Sequence, residues 1–156
     1  MSKSAWQLLG DYLKDTQLLG SIQSTLYWDQ NTSMPIAGST WRGEQLSLLA
    51  KQLHARQSSE QFDILIKEAK SELQNLKERD DLESELMIDR FKNIELLEQD
   101  FKRQKRLDPK LVVDLATAKS EGYMCWQEAR KDNDFKSFSP ALKPVSTISI
   151  SPSGFS

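Results

Sequence analysis

Thr25–Gln45, TLYWDQNTSMPIAGSTWRGEQ, is where one long amphipathic pattern stops, the chain turns, and a second pattern begins. Asn31, Thr32 and Ser33 carry side chains that bond their own backbone, and Pro35 disfavours helical geometry at Met34, so a first helix ends here. Gly38-Ser39-Thr40 then offers a flexible residue and two candidate N-caps. Beyond it Leu46, Leu49, Ala50 and Leu53 recur at i, i+3, i+4 and i+7, the stripe of a second helix. Two antiparallel helices joined by this corner are expected.

Upstream, Ser4 and Gln7 have capping-box spacing, in which the hydroxyl accepts from a first-turn amide and the glutamine reaches back. Trp6, Leu9, Leu13, Leu19, Ile22 and Leu26 follow at intervals of three, four or their sums, and Tyr12 and Leu18 widen the stripe. Gly10 and Gly20 interrupt it at a cost of about 1 kcal/mol each relative to Ala, which points to close packing or a weakened helix at those positions.

Downstream, Ser58 and Gln61 repeat the capping-box spacing ahead of Phe62, Leu65, Ile66, Ala69, Leu73 and Leu76, a third helix reaching about Lys77. Arg79-Asp80-Asp81 reads as a turn with Asp81 as the cap of a fourth helix. Leu82, Leu86, Met87, Phe91, Ile94, Leu97 and Phe101 outline that helix to near Arg106. Asp108-Pro109, a cap followed by proline at the first helical position, starts a fifth helix along Leu111, Leu115, Ala118, Gly122, Cys125 and Ala129. Ser139-Pro140 looks like the cap of a sixth helix that Pro144 cuts off. From Lys143 the sequence KPVSTISISPSGFS has no acid, two prolines and five serines, which predicts disorder or a short stray strand. The expected fold is therefore all-α: a bundle of about five amphipathic helices over residues 1–142, followed by an irregular Ser/Pro-rich tail over 143–156.

A chain of 156 residues is about one domain's worth. Its 21 bases against 23 acids leave a formal net charge of -2, which favours neither nucleic acid nor an anionic membrane. Cys125 is the only cysteine, so an intramolecular disulfide and a four-cysteine metal site are excluded. The N-terminal stretch has acids and amides between its apolar residues rather than a basic segment followed by an apolar run, so neither signal peptide nor membrane span is read, and a cytoplasmic location is expected.

Trp28-Asp29-Gln30, then Met34-Pro35, Arg42 and Glu44-Gln45, resemble the N-terminal signature of the Taq-type thermostable carboxypeptidases, a metallopeptidase family. The stretch Ser120–Pro140 resembles a second segment of that family: a helix carrying Glu121, Tyr123, Trp126, Ala129 and Arg130, then the turn Asn133-Asp134-Phe135, Phe138 and Pro140. His54 falls with Arg42 and Gln45 on the second helix of the resemblance. It implies a chain of several hundred residues whose equivalent helices form part of the wall and cover of a substrate cleft. It implies zinc or a similar divalent ion held by an HExxH helix and a further glutamate, and removal of single residues from peptide C-termini. The present sequence has one histidine and no HExxH, so no metal ligands, cofactor or catalytic residues are assigned within it, and a truncated or frameshifted gene, or a front piece completed elsewhere, is expected.

Single residues carry little chemistry of their own. His54 reads as a structural or surface histidine, Cys125 as a buried, inert thiol, and Trp28 and Met34 as core before cleft wall. Asp29, Glu44 and Glu121 read as solvated carboxylates rather than an acid–base pair. The run KRQKR, Lys102–Arg106, reads as complement to a helix C-terminus. Together these give a fragment inactive by itself, with peptide substrate only in the complete enzyme. Self-association or a complementing C-terminal polypeptide would cover its exposed apolar faces. The alternative is a helical protein-interaction module without enzymatic activity.

Overall fold

The structure, a computed structural model, describes residues 3–78 and 84–150. Its helices are α1 Ala5–Thr32, α2 Ser39–Gln57, α3 Glu60–Glu78, α4 Ser84–Lys105, α5 Pro109–Lys131 and α6 Phe135–Ile150, with a 3-10 turn at Ile36–Gly38 before α2. No strand occurs among the described residues, and none of their helices is long and apolar enough to cross a membrane. The expected turn at residues 79–81, and Leu82, lie outside the described residues.

The chain divides into two compact units, one of residues Met1–Leu18 and Ala55–Arg106, the other of Leu19–His54 and Leu107–Ser156. In the first unit, Phe62, Ile66, Ala69 and Leu73 line one face of α3, and Met87, Ile94 and Phe101 line one face of α4. The ion pair Lys70–Glu98 and the stacking of Lys77 over Phe91 show these helices running antiparallel. The start of α1 joins them through Leu9, with Tyr12 stacked on Phe62 at 5.4 Å. Its capping box forms as the sequence predicts, Ser4 N donating to Gln7 Oε1 and Gln7 N to Ser4 Oγ. Glu72 adds a partner for another orphan donor of that first turn, its carboxylate accepting from Trp6 N at 2.8 Å. The cap of α3 falls one residue later than expected: the helix starts at Glu60, and Ser59 Oγ accepts from Phe62 N. Ser59 is held in place because its hydroxyl also meets the Arg56 carbonyl and the Tyr12 hydroxyl.

Gly10 and Gly20 correct the packing expectation. A methyl group at either would meet nothing within 4 Å, and α1 runs through both without a break. The stripe on α1 is likewise buried at Leu9 and exposed at Leu18 and Ile22.

In the second unit α5 begins as expected, Asp108 accepting from Lys110 N with Pro109 next to the cap. The turn into α6 replaces the expected start at Ser139. Asn133 adopts a left-handed φ of 52°, which turns the chain as glycine commonly does at a helix end. Asp134 N donates to Ala129 O at 2.8 Å and Asn133 N to Arg130 O at 3.4 Å, closing α5 with a Schellman pattern. Asp134 Oδ1 then accepts from Lys136 N and caps α6. The helical backbone passes the expected boundary at residue 143 and continues to Ile150. Pro140 and Pro144 each remove one donor, to the carbonyls of Lys136 and Pro140 in an i→i−4 ladder, and the rest of the ladder carries the helix.

Candidate functional site

The corner between α1 and α2 is built by one guanidinium. Arg42, in the first turn of α2, donates from Nη1 to the Leu26 carbonyl, from Nη2 to Asp29 Oδ2 and from Nε to Gln45 Oε1. Its planar fork serves three acceptors at once, a geometry that a lysine ammonium cannot reproduce. The Arg42 side chain is 11% exposed and that of Asp29 38%, so the pair is largely removed from water on one side only. The Asp29 carbonyl accepts from both Ser33 N and Met34 N, ending α1. Pro35 is extended at φ -62° and ψ 144° and leads into the 3-10 turn, where Gly38 lies against Met34. The sequence reading placed Asp29, Arg42 and Gln45 in one motif, and the structure brings them together. Trp28 departs from that reading: it is exposed rather than core. The one-residue offset from Asp29, whose carboxylate is turned to Arg42, carries the indole away from that bond.

Gln30 is buried at 4% exposure and donates from Nε2 to Ser120 Oγ on α5 at 3.3 Å. Ser47 and Thr117 meet through their hydroxyls at 2.7 Å, and a Cβ at Gly43 would lie 3.8 Å from Ser120 Oγ. Rising numbers on α2 thus meet falling numbers on α5, so these two helices run antiparallel with small side chains between them. This hydroxyl seam was not read from the sequence. Its signal is the spacing Gly43, Ser47, Ala50, a row of small residues two turns long on one helical face.

Along this seam lies a cleft of about 580 Å³, lined by Thr40, Glu44, Thr117, Glu121, Met124 and Cys125 among others. Glu44 and Glu121 reach the same cleft, whereas Asp29 is held by Arg42. Cys125 is exposed there, which corrects the expectation of a buried thiol: it shares the helical face of the buried Ala118 and Ala129, but that face opens onto the cleft at its position. The remaining motif residues of α5 form a surface row. Tyr123 and Trp126 have ring centroids 5.7 Å apart, Arg130 lies over Trp126 at 5.1 Å, and Gln127 Nε2 donates to the Tyr123 hydroxyl. Asn133 and Asp134 make the α5–α6 turn, and Phe135 is exposed, edge-on to Phe138. These residues make helix ends and surface. His54 is buried near the end of α2 rather than at the surface. Burial also raises the Tyr27 phenol above its ordinary range, because the phenolate would be poorly solvated there.

A family model described as carboxypeptidase Taq (M32) metallopeptidase matches residues 8–150. Among curated proteins the chain is 29% identical over 143 residues to Thermostable carboxypeptidase 1 of Thermus thermophilus, covering 92% of this chain and 26% of that protein. It is 27% identical over 135 residues to Carboxypeptidase 1 of Bacillus subtilis, covering 86% of this chain and 25% of that protein. A solved structure, "BsuCP Crystal Structure", superposes with a TM-score of 0.76 at 26% identity, over 92% of this chain and 27% of that one. The chain therefore spans about a quarter of the length of the relatives it matches.

Proposed function

The chain belongs to the carboxypeptidase Taq (M32) metallopeptidase family, and from that premise we propose that it serves as a non-catalytic part of a carboxypeptidase, supplying helical wall to a peptide cleft. One observation carries the reading: the match takes in nearly the whole of this chain and only a quarter of its relatives. The donor chemistry supports it. A catalytic zinc site needs about three converging protein ligands, and no three His, Cys, Asp or Glu side chains converge among the described residues. The described residues do not fit a resident metal. What they offer is the cleft between α2 and α5 and the rigid Arg42 corner beside it.

The test is release of C-terminal amino acids from short peptides by the purified chain in excess zinc or cobalt. No release above the blank is expected from the chain alone. Release is expected when the part of a relative outside the matched quarter is co-expressed with it. Metal-dependent hydrolysis by the chain alone, abolished by a chelator, would overturn the proposal.

A further inference from the structure

Glu44 on α2 and Glu121 on α5 line one cleft, and no base beside them balances their charge. The cleft holds about 580 Å³, within the roughly 300–1,000 Å³ of sites that take small molecules. No lysine, arginine or histidine of the described residues lines it, and neither glutamate forms an ion pair among those residues. Arg42, two residues before Glu44, is committed to Leu26, Asp29 and Gln45. Lys119, two residues before Glu121, is exposed outside the lining. Two like charges over one cavity without a counter-charge raise the local concentration of cations.

A second, independent feature lies at the floor. Gln30, only 4% exposed, brings its amide to the cleft-lining Ser120, Nε2 donating to Ser120 Oγ. The Oε1 of that amide is buried and has no hydrogen-bond partner among the described residues. An orphaned buried acceptor is uncommon, and in a poorly solvated position its negative partial charge acts over distance. A cation above Ser120 is the charge that this oxygen and the two carboxylates together favour. Ser47, Thr117 and Ser120 add hydroxyl acceptors, and Met124 and Gly43 leave apolar surface for an aliphatic stem.

We propose that the cleft binds a cationic peptide side chain, the ammonium of lysine or the guanidinium of arginine, with Glu44 and Glu121 as its partners. This names the peptide class for the cleft assigned above and rests on that reading. Cys125, exposed in the same cleft and the only cysteine of the chain, reports occupancy without a label. The test measures the rate of its alkylation by iodoacetamide on the full chain, with Nα-acetyl-lysine amide, Nα-acetyl-arginine amide, uncharged Nα-acetyl-leucine amide or alanine amide. The two basic amides should slow alkylation and the leucine amide should not. Glu44→Gln and Glu121→Gln should each raise the half-protecting concentration about threefold, and together about tenfold, as for loss of partly solvated ion pairs. Glu128→Gln, an exposed change on α5 outside the cleft, should leave it unchanged. Both cleft glutamates are exposed, and matching circular dichroism and melting separate lost binding from lost folding. Equal protection by the leucine amide, no protection by any amide, or indifference to the double variant overturns the proposal. Protection by alanine amide as strong as by the lysine amide assigns the cleft to a peptide N-terminus and overturns it too. Unprotected Cys125 in a chain that still restores peptide release on co-expression leaves the proposed function standing. Protection by the basic amides without restored release overturns that function and leaves the cation site.

Discussion

Arg42→Ala should unfold the α1–α2 corner more readily than any other single change there, and its size can be worked out from the three bonds. The Asp29 pair is partly solvated, so its contribution is discounted to about 0.5–1 kcal/mol. The donations to the Leu26 carbonyl and to Gln45 Oε1 are charged donors on neutral oxygens, each contributing about 1–1.5 kcal/mol. The total is roughly 3 kcal/mol, or a fall in melting temperature of roughly 6–12 °C for a chain of this size. The informative comparison is with Arg42→Lys and Asp29→Asn, measured by denaturant titration followed by circular dichroism. Lysine keeps the charge and loses the fork, so it should recover only about 1 kcal/mol of the loss. Asparagine keeps an acceptor for Nη2 and should cost about 1 kcal/mol or less. Added salt should shrink the Asp29 effect and leave the carbonyl contribution in place. If Arg42→Lys is as stable as the native chain, or Asp29→Asn as damaging as Arg42→Ala, the corner is held by charge rather than by the fork, and the reasoning is refuted.

Three further outcomes follow from the geometry. Gly10→Ala and Gly20→Ala should each raise stability by about 0.4–1 kcal/mol, read as a higher melting temperature, because each lies within α1 with open space where the methyl would stand; a loss at either would mean a neighbour approaches there. Asn133→Gly should be neutral or mildly stabilising, whereas Asn133→Ala should cost about 1 kcal/mol, since only the glycine adopts φ 52° freely; equal effects in denaturant titration would refute the turn. For Tyr27 the folded pKa is raised above 10.0, so its contribution to stability is intact below that pH and is lost as pH rises through the higher folded value. Relative to Tyr27→Phe, the native chain should therefore lose stability only in strong alkali, with one phenolate absorbance step arriving late.

The all-helical class was legible because stripes such as Phe62, Ile66, Ala69 and Leu73 repeat a single angle over several turns. Asp108-Pro109 marked its helix start for the same local reason: the cap and the proline need no partner from elsewhere in the chain. The turn after α5 was legible at Asn133-Asp134-Phe135, but the start of α6 was set too late because its signal is conformational. Asn in the left-handed region leaves little trace in composition, while Ser139-Pro140 offers a stronger but unused cap spelling. Pro144 also outweighed its true effect in the reading, since a proline subtracts one bond and the ladder around it persists. Within the candidate site, Asp29, Arg42 and Gln45 could be grouped from the motif, but the third acceptor of Arg42 is the Leu26 main-chain carbonyl, which no side-chain pattern encodes. Exposure of Trp28 near the end of α1 and of Cys125 within α5 was equally hidden, because whether a helical face is covered depends on which neighbours are present.

Asp134 closes one helix with its main-chain N–H and opens the next with its carboxylate. Punctuation shared by a single residue makes α5 and α6 one kinetic object. Their contacts join segments close in sequence, and loop closure across Asp132, Asn133 and Asp134 demands little chain entropy, so this hairpin is suited to form early in folding, ahead of pairings such as Gln30 with Ser120 that bridge distant parts of the chain. The same economy makes the junction intolerant of length change: one inserted residue would part the left-handed asparagine from the aspartate that follows it, and the chain would lose a stop and a start together.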